Sequence, residues 1–215
     1  MLTLRILLLL LFPAALSANS FSSLCYHEVH PINQGDLHPD QYAISPENLR
    51  RHFDYIQGNG FNPISIDQLL AAQQGKTTLP EKAVLLTFDD GYSSFYSEVY
   101  PLLKRYDYPA VLALVGSWLE TPADQPVLYG DKEKQRSEFL SWNQIREMQS
   151  SGLVEIASHS YNLHRGIHAN PQGNSQPAAV TRQYFPEFKN YETDEAYQQR
   201  ILDDLKTNSE LLARK

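Results

Sequence analysis

Two adjacent carboxylates, Asp89 and Asp90, stand in the run Thr87-Phe88-Asp89-Asp90-Gly91-Tyr92, directly after the apolar stretch Ala83-Val84-Leu85-Leu86. A short continuous apolar run of this kind reads as a strand buried on both faces, as in a parallel sheet covered by helices. Charge inside such a strand is costly unless it is paired or bound to metal, so the aspartates belong at the strand's exit. Ligand sites gather at such exits in α/β folds. Neighbouring strand residues point to opposite faces unless the backbone turns, which Gly91 permits. The chemistry this suggests is a division of labour, with one carboxylate on a metal and the other handling a proton. Taken alone, Asp-Asp-Gly is also an ordinary turn at the end of a strand.

A second cluster follows another strand-like run. Leu153-Val154-Glu155-Ile156-Ala157 leads into Ser158-His159-Ser160-Tyr161-Asn162-Leu163-His164. A spacing of five sets the histidines about 140° apart on a helix and on opposite faces of a strand. They converge only if the segment after Ala157 is a loop. One aspartate with two histidines is a facial ligand set that leaves positions open for water and substrate, the arrangement of a catalytic metal. Zinc is the default occupant, and the same ligands suit Co, Ni or Fe(II).

At these residues the chain resembles the polysaccharide deacetylases of carbohydrate esterase family four, the NodB-homology group. Their first motif, Thr-Phe-Asp-Asp-Gly, stands at Thr87-Phe88-Asp89-Asp90-Gly91, and their second is matched by His159-Ser160 and His164, with a spacing of five where four is usual. Further stretches are similar to the branch that deacetylates poly-β-1,6-N-acetyl-D-glucosamine: Leu79-Pro80-Glu81-Lys82-Ala83-Val84, Gly91-Tyr92-Ser93-Ser94-Phe95-Tyr96, Pro109-Ala110-Val111, Val115-Gly116-Ser117-Trp118 and Ala157-Ser158-His159. The resemblance runs from about Phe21 to the C-terminus. It implies that Asp89 is the general base and that Asp90, His159 and His164 hold the metal. The branch is circularly permuted, which makes His27, in Leu24-Cys25-Tyr26-His27-Glu28-Val29, the general acid, with His30 its nearby competitor. His27 is preferred because it falls at the exit of the first strand.

The chemistry fits those roles independently. Hydrolysis of an unreactive acetamide needs an activated water, stabilisation of charge on the carbonyl oxygen and a proton for the leaving amine. A metal supplies the first two, a carboxylate accepts the water's proton, and a histidine protonates the departing glucosamine nitrogen. Two other readings compete with a deacetylase: an inactive secreted glycan-binding protein or fragment, and a glycosidase. The glycosidase is the weaker, because its paired carboxylates flank the bond at a distance, whereas adjacent aspartates with two histidines resemble a metal set.

The elements that must position these residues alternate between strand and helix. Ser45-Pro46-Glu47 opens a helix with Leu49, Phe53 and Ile56 on one face and Gly58 and Gly60 at its end. Residues 61–66 read as a strand, 67–74 as a helix, 83–88 as the strand bearing the first motif, and 110–115 as a further strand. A helix carrying Phe95, Val99 and Leu102 lies between the last two. Ser141 and Gln144 form a capping box for a helix that Gly152 closes. Asp194 is read as the cap of a last helix with Tyr197, Ile201, Leu205 and Leu212 on one stripe. Such repetition marks an α/β fold with a parallel sheet or barrel. The resemblance makes it a distorted (β/α) barrel of the deacetylase type, incomplete at the C-terminus.

Residues 120–138 and 164–190 interrupt the rhythm, and long segments at strand exits commonly shape a binding groove. Tyr129, Tyr161, Tyr184, Phe185 and Tyr191 are available there to stack on sugar rings or to pack the loops. Residues 1–18 carry one arginine, a leucine-rich run and small residues at Ala15, Ser17 and Ala18, the pattern of a secretory signal peptide. Residues 19–215 are then the N-terminal part of a deacetylase domain in the periplasm or outer envelope, with no stable membrane span. Cys25, the single cysteine of the 215 residues, forms no internal disulfide and reads as a small buried hydrophobe. Leu24 before it speaks against lipidation. A formal net charge of -7 without a basic cluster excludes nucleic acid as a partner and leaves an N-acetylglucosamine polymer as the expected one.

Overall fold

The strand bearing the two aspartates lies inside a five-stranded sheet in which each pairing is parallel. The computed structural model describes residues 20–31, 42–130 and 132–215; the leader 1–18 lies outside the described residues. The sheet comprises β1 (Phe21–Tyr26), β2 (Asn62–Pro63), β3 (Ala83–Phe88), β4 (Ala110–Val115) and β7 (Val154–Ser160), in the order β1-β3-β4-β7 with β2 paired to the start of β3. The helices between them are α1 (Pro46–Gly58), α2 (Ile66–Gln73), α3 (Tyr100–Tyr106), α4 (Gly116–Glu120) and α5 (Trp142–Ser150). This is the α/β architecture the apolar runs call for.

Alternation along β3 explains its burial on both faces. Val84, Leu86 and Phe88 point into a large cluster with Leu49, Phe53 and Ile56 of α1, Leu103 of α3, and Ile145 and Met148 of α5. Ala83 and Leu85 point the other way, against Ile64, Ala72, Leu79 and Val111. The caps follow the sequence: Ser45 accepts from the Asn48 amide, and Ser141 forms its capping box with Gln144.

Several boundaries move, each for a local reason. β2 is only two residues long, because Pro63 has no N–H for the ladder and Ser65 is already the N-cap of α2 in a capping box with Gln68. The helix after the first motif begins as a wide turn over Phe95–Val99, in which the Tyr100 amide reaches back to the Phe95 carbonyl. Pro101, next in line, has no N–H with which to continue a normal ladder. β7 runs on to Ser160, past the expected end at Ala157.

The two long segments are built mainly of hairpins. The first holds β5 (Pro126–Tyr129) and β6 (Lys132–Gln135); the second holds β8 (Gly166–His168) with β9 (Ser175–Pro177) and then β10 (Tyr184–Phe185) with β11 (Asn190–Tyr191). The last helix is α6 (Asp194–Arg214). Its N-cap is Thr193, whose hydroxyl accepts from the Ala196 amide, so Asp194 is the first helical residue rather than the cap. The expected apolar stripe is also corrected, for Leu205 is exposed and the fully buried residues of α6 are Asn208 and Leu211. Among the described residues, no helix is long and apolar enough to cross a membrane.

α6 is joined to the hairpin region by an ion pair. The Arg200 guanidinium donates to Glu192 at 2.8 and 2.9 Å and to the carbonyls of Ala178 and Thr181, and Glu192 is only 6% exposed. Hydrogen bonds from Arg200 hold the Glu192 carboxyl below the ordinary carboxylate range. Removing one partner of a buried pair leaves the other uncompensated, so Glu192→Ala is expected to lower the unfolding free energy by about 3 kcal/mol in urea at neutral pH. Because the folded value lies below the unfolded one, this contribution is complete above the unfolded pKa and disappears as pH falls through the folded one. The stabilities of wild type and variant should therefore converge in acid.

Candidate active site

β3 ends in a tight reversal. Asp90 has φ 76° and Gly91 φ 80°, and the Gly91 amide donates to the Asp89 carbonyl at 2.9 Å, the i to i+2 closure of a γ-turn. Aspartate tolerates positive φ better than most residues, whereas at Gly91 an added Cβ would lie 2.7 Å from Leu114 Cδ2. The turn sends the neighbouring carboxylates into different surroundings. Asp90 is wholly buried, while the Asp89 side chain keeps 19% of its exposure.

The histidines reach Asp90 by a route the sequence pattern did not anticipate. His159 lies within β7, not in a loop after it. The pairing steps from Leu114↔Ser158 to Val115↔Ser160, which leaves His159 as the extra residue of a β-bulge. Beyond the strand, Asp204 of α6 accepts from the amides of Tyr161 at 2.7 Å and Asn162 at 2.6 Å. Ser160 Oγ accepts from Leu163, and the turn returns His164 to the site. The His159 and His164 Nε2 atoms lie 3.7 and 3.4 Å from Asp90 Oδ1.

Aromatic side chains wall this trio. Trp118 of α4 meets the His164 ring edge-on at 4.9 Å, and Tyr129 of β5 lies 5.2 Å from it. The Tyr129 hydroxyl donates to Asp90 Oδ2 at 3.2 Å. Lys134 of β6 sits 4.8 Å above the Tyr92 ring and pairs with Glu28 at 3.2 Å, which ties the hairpin to the β1 exit. Desolvation first, and then the hydrogen bond with Tyr129, push the Tyr92 phenol far above its ordinary range, so it remains protonated.

The trio suits a divalent cation. Asp90 Oδ1 is buried without a hydrogen-bond partner, while an imidazole nitrogen faces it from each histidine. A cation shared by the three residues would take the lone pairs of both imidazoles and of this unpartnered oxygen at once. The three ligand atoms lie within 4.8 Å of one another. Carboxylate with two imidazoles is a donor set for Zn, Co, Ni or Fe(II).

On the other side of the turn, His27 Nε2 lies 3.9 Å from Asp89 Oδ2, and the Cys25 thiol donates to that oxygen at 3.3 Å. His30 is turned to Glu28 instead, 3.5 Å away. Cys25 is exposed rather than buried, because five of the six residues of β1 are exposed at the edge of the sheet. Partial desolvation raises its thiol pKa, against a lowering hydrogen bond with Thr87, and the Asp89 charge adds to the rise. A cavity of about 890 Å³ runs from His159 and His164 between Ile167 and Pro177 of the β8–β9 hairpin and Ile201 and Leu205 of α6.

Three contributors went unread in the sequence. Tyr129 stood only among aromatics available for stacking or packing, and nothing in its neighbourhood marked it as a partner of Asp90. Asp204 and Asn208 did carry a signal: they are polar residues one turn apart, beside the apolar Ile201, Leu205 and Leu212 on α6. Asn208 is wholly buried and donates to the Leu114 carbonyl at 3.0 Å and to Ser158 Oγ at 2.8 Å.

The sequence model of the polysaccharide deacetylases matches residues 76–214. The chain belongs to that family. Over 199 residues it is 44% identical to the poly-β-1,6-N-acetyl-D-glucosamine N-deacetylase of Escherichia coli K12, covering 92% of this chain and 29% of that protein. It therefore spans less than a third of that relative's length. Two solved family members are similar in structure. One is a de-N-acetylase from Aggregatibacter actinomycetemcomitans (TM-score 0.83, 43% identity, 90% of this chain and 74% of the other). The other is the deacetylase domain of BpsB from Bordetella bronchiseptica (TM-score 0.80, 47% identity, 90% of this chain and 75% of the other).

The Asp90 geometry sets an expectation for metal affinity. Wild-type protein should carry near-stoichiometric divalent metal at this trio by elemental analysis, and His159→Ala or His164→Ala should lose it. Tyr129→Phe keeps every ligand and removes one hydrogen bond to Asp90, so its affinity should fall roughly 10–100-fold. Unchanged occupancy in both histidine variants would exclude the trio.

Proposed function

We propose that the chain hydrolyses N-acetyl groups of N-acetylglucosamine units in poly-β-1,6-N-acetyl-D-glucosamine, in a metal-dependent reaction in the cell envelope that serves export of a biofilm matrix. The observation that carries the reading is the split at β3: Asp90 faces His159 and His164, while Asp89 faces His27. The substrate is taken from the curated relatives named for that polymer.

Asp90, His159 and His164 are the residues that would hold the cation. When bound there, a divalent metal supplies Lewis acidity, favouring ionisation of water and polarising the acetyl carbonyl. Asp89 is the general base. Its side chain is 19% exposed, so it can take a proton from the attacking water and exchange it with solvent. His27, 28% exposed and 3.9 Å from Asp89, is the general acid that protonates the glucosamine nitrogen as the C–N bond breaks. The bulge at His159 and the Asp204-held turn keep the two histidines in place against Asp90.

Two outcomes test the assignment. Asp89→Asn preserves shape but accepts no proton, so acetate release from β-1,6-linked N-acetylglucosamine oligomers should fall about 10²–10⁴-fold while the metal at Asp90, His159 and His164 stays stoichiometric. Activity close to wild type would remove Asp89 from the role. For His27→Ala, the alkaline limb of the pH–rate profile should be lost along with most of the rate, because that limb reports deprotonation of the acid. A preference for β-1,4-linked oligomers would overturn the substrate assignment.

A further inference from the structure

We propose that Cys25, His27 and Asp89 form a second metal site, a sulfur, imidazole and carboxylate set for zinc whose occupancy withholds Asp89 and His27 from proton transfer. The site itself stands on geometry, and its effect on turnover rests on the roles proposed above.

The parallel register brings the three residues together. Cys25 pairs with Thr87 and Tyr26 with Phe88, so continuing the ladder by one step sets His27 beside Asp89. The Asp89 amide takes that step by donating to the Tyr26 carbonyl at 2.9 Å. Cys25 and His27 are two residues apart and share a face of the extended chain. Asp89 Oδ2 lies 3.3 Å from Cys25 Sγ and 3.9 Å from His27 Nε2, and one ligand atom from each residue falls within 4.8 Å of the others. Donors around tetrahedral zinc, at bonds of about 2.0–2.3 Å, are separated by roughly 3.3–3.6 Å. Small side-chain rotations therefore close the site.

The donor types choose the metal. Thiolate, imidazole and carboxylate are zinc's three protein ligand classes, whereas magnesium and calcium take oxygen. Three protein ligands leave a position for water. Cys25 is exposed and Asp89 and His27 are partly so, which gives the ion a path from solvent. The set shares no residue with Asp90, His159 and His164. As the zinc–sulfur bond forms, the thiol's proton passes to solvent, and lone pairs of Asp89 and His27 become ligands. His27 then carries no proton on its ligating nitrogen to give, and Asp89, bound through one oxygen, becomes a much weaker base.

Zinc and cobalt(II) titrations of the full chain test this directly, using wild type, Cys25→Ser and His164→Ala. Wild type should bind two equivalents and show a thiolate-to-cobalt charge-transfer absorption. Cys25→Ser should bind one equivalent without that absorption, and His164→Ala one equivalent with it. No absorption in wild type at saturating cobalt, or its survival in Cys25→Ser, overturns the site. Failure of the Asp90 trio alone looks different: wild type and His164→Ala would then each bind one equivalent with the absorption intact. For turnover, acetate release is followed as zinc rises, each protein scaled to its own rate at low zinc. Half-inhibition in Cys25→Ser should need at least roughly tenfold more zinc than in wild type, since loss of even a ligand-orienting contact typically weakens a metal site that much. Equal inhibition overturns the claim that zinc at Cys25 blocks the proton pair.

Discussion

The Asp90 carboxylate is the constraint around which this end of the fold is arranged. It is wholly excluded from solvent, and a buried charge is tolerable only where opposite charge or hydrogen bonds offset its lost hydration. One oxygen has the Tyr129 hydroxyl; the other has two imidazole nitrogens turned towards it and no hydrogen bond. That asymmetry is what the proposed role of Asp90 as a metal ligand would explain, since an ordinary buried aspartate has both oxygens satisfied. The left-handed turn at Asp90 and Gly91 is the backbone conformation that aims the carboxylate inward, and Leu114 packs where any side chain at Gly91 would have to go.

The histidines are held by elements distant in sequence. Leu114 and Ser158 are the last matched pair before the bulge that carries His159. Asn208, 94 residues beyond Leu114 and 50 beyond Ser158, donates to the carbonyl of one and the hydroxyl of the other. One turn earlier on the same helix, Asp204 takes the two free amides of the turn leading to His164. α6 thus works as a brace across the exits of β4 and β7, with its polar residues inward where an amphipathic helix would carry apolar ones. This accounts for the gap in the stripe reading of α6, whose Ile201 and Leu212 pack against the core while Leu205 is exposed: part of what the helix covers is a set of strand ends with unpaired backbone groups.

What the sequence made legible follows the same logic. β3 and β4 match their apolar runs to the residue, because strands buried on both faces leave little freedom in where the run starts and stops. The helices opened by Ser45 and Ser141 were legible because each cap does local chemistry visible in four residues, whereas Ser65, which caps α2 in the same way, was taken into the strand before it. The candidate site was legible as residue types at strand exits. Its geometry was not, because a β-bulge is a mismatch between two strands and neither strand's sequence alone records it. Cys25 was misread for a related reason: an apolar-looking strand at the edge of a sheet is exposed on a face that pattern alone takes for core.

Adjacent aspartates with separate tasks need separate environments, and a regular strand does not provide them in the required directions. A metal ligand gains from burial, which fixes its orientation and excludes competing water, whereas a proton acceptor needs contact with solvent to reset after each turnover. The γ-turn at Asp90 gives consecutive residues the two environments that the proposed roles require: one carboxylate goes to the aromatic-walled pocket against β7, the other stays on the side of β1. The same turn puts Asp89 beside a thiol that no step of acetamide hydrolysis uses. If Asp89 and His27 are the proposed proton-transfer pair, the strand exit that gathers them gathers, with one added cysteine, the donors of a soft-metal site.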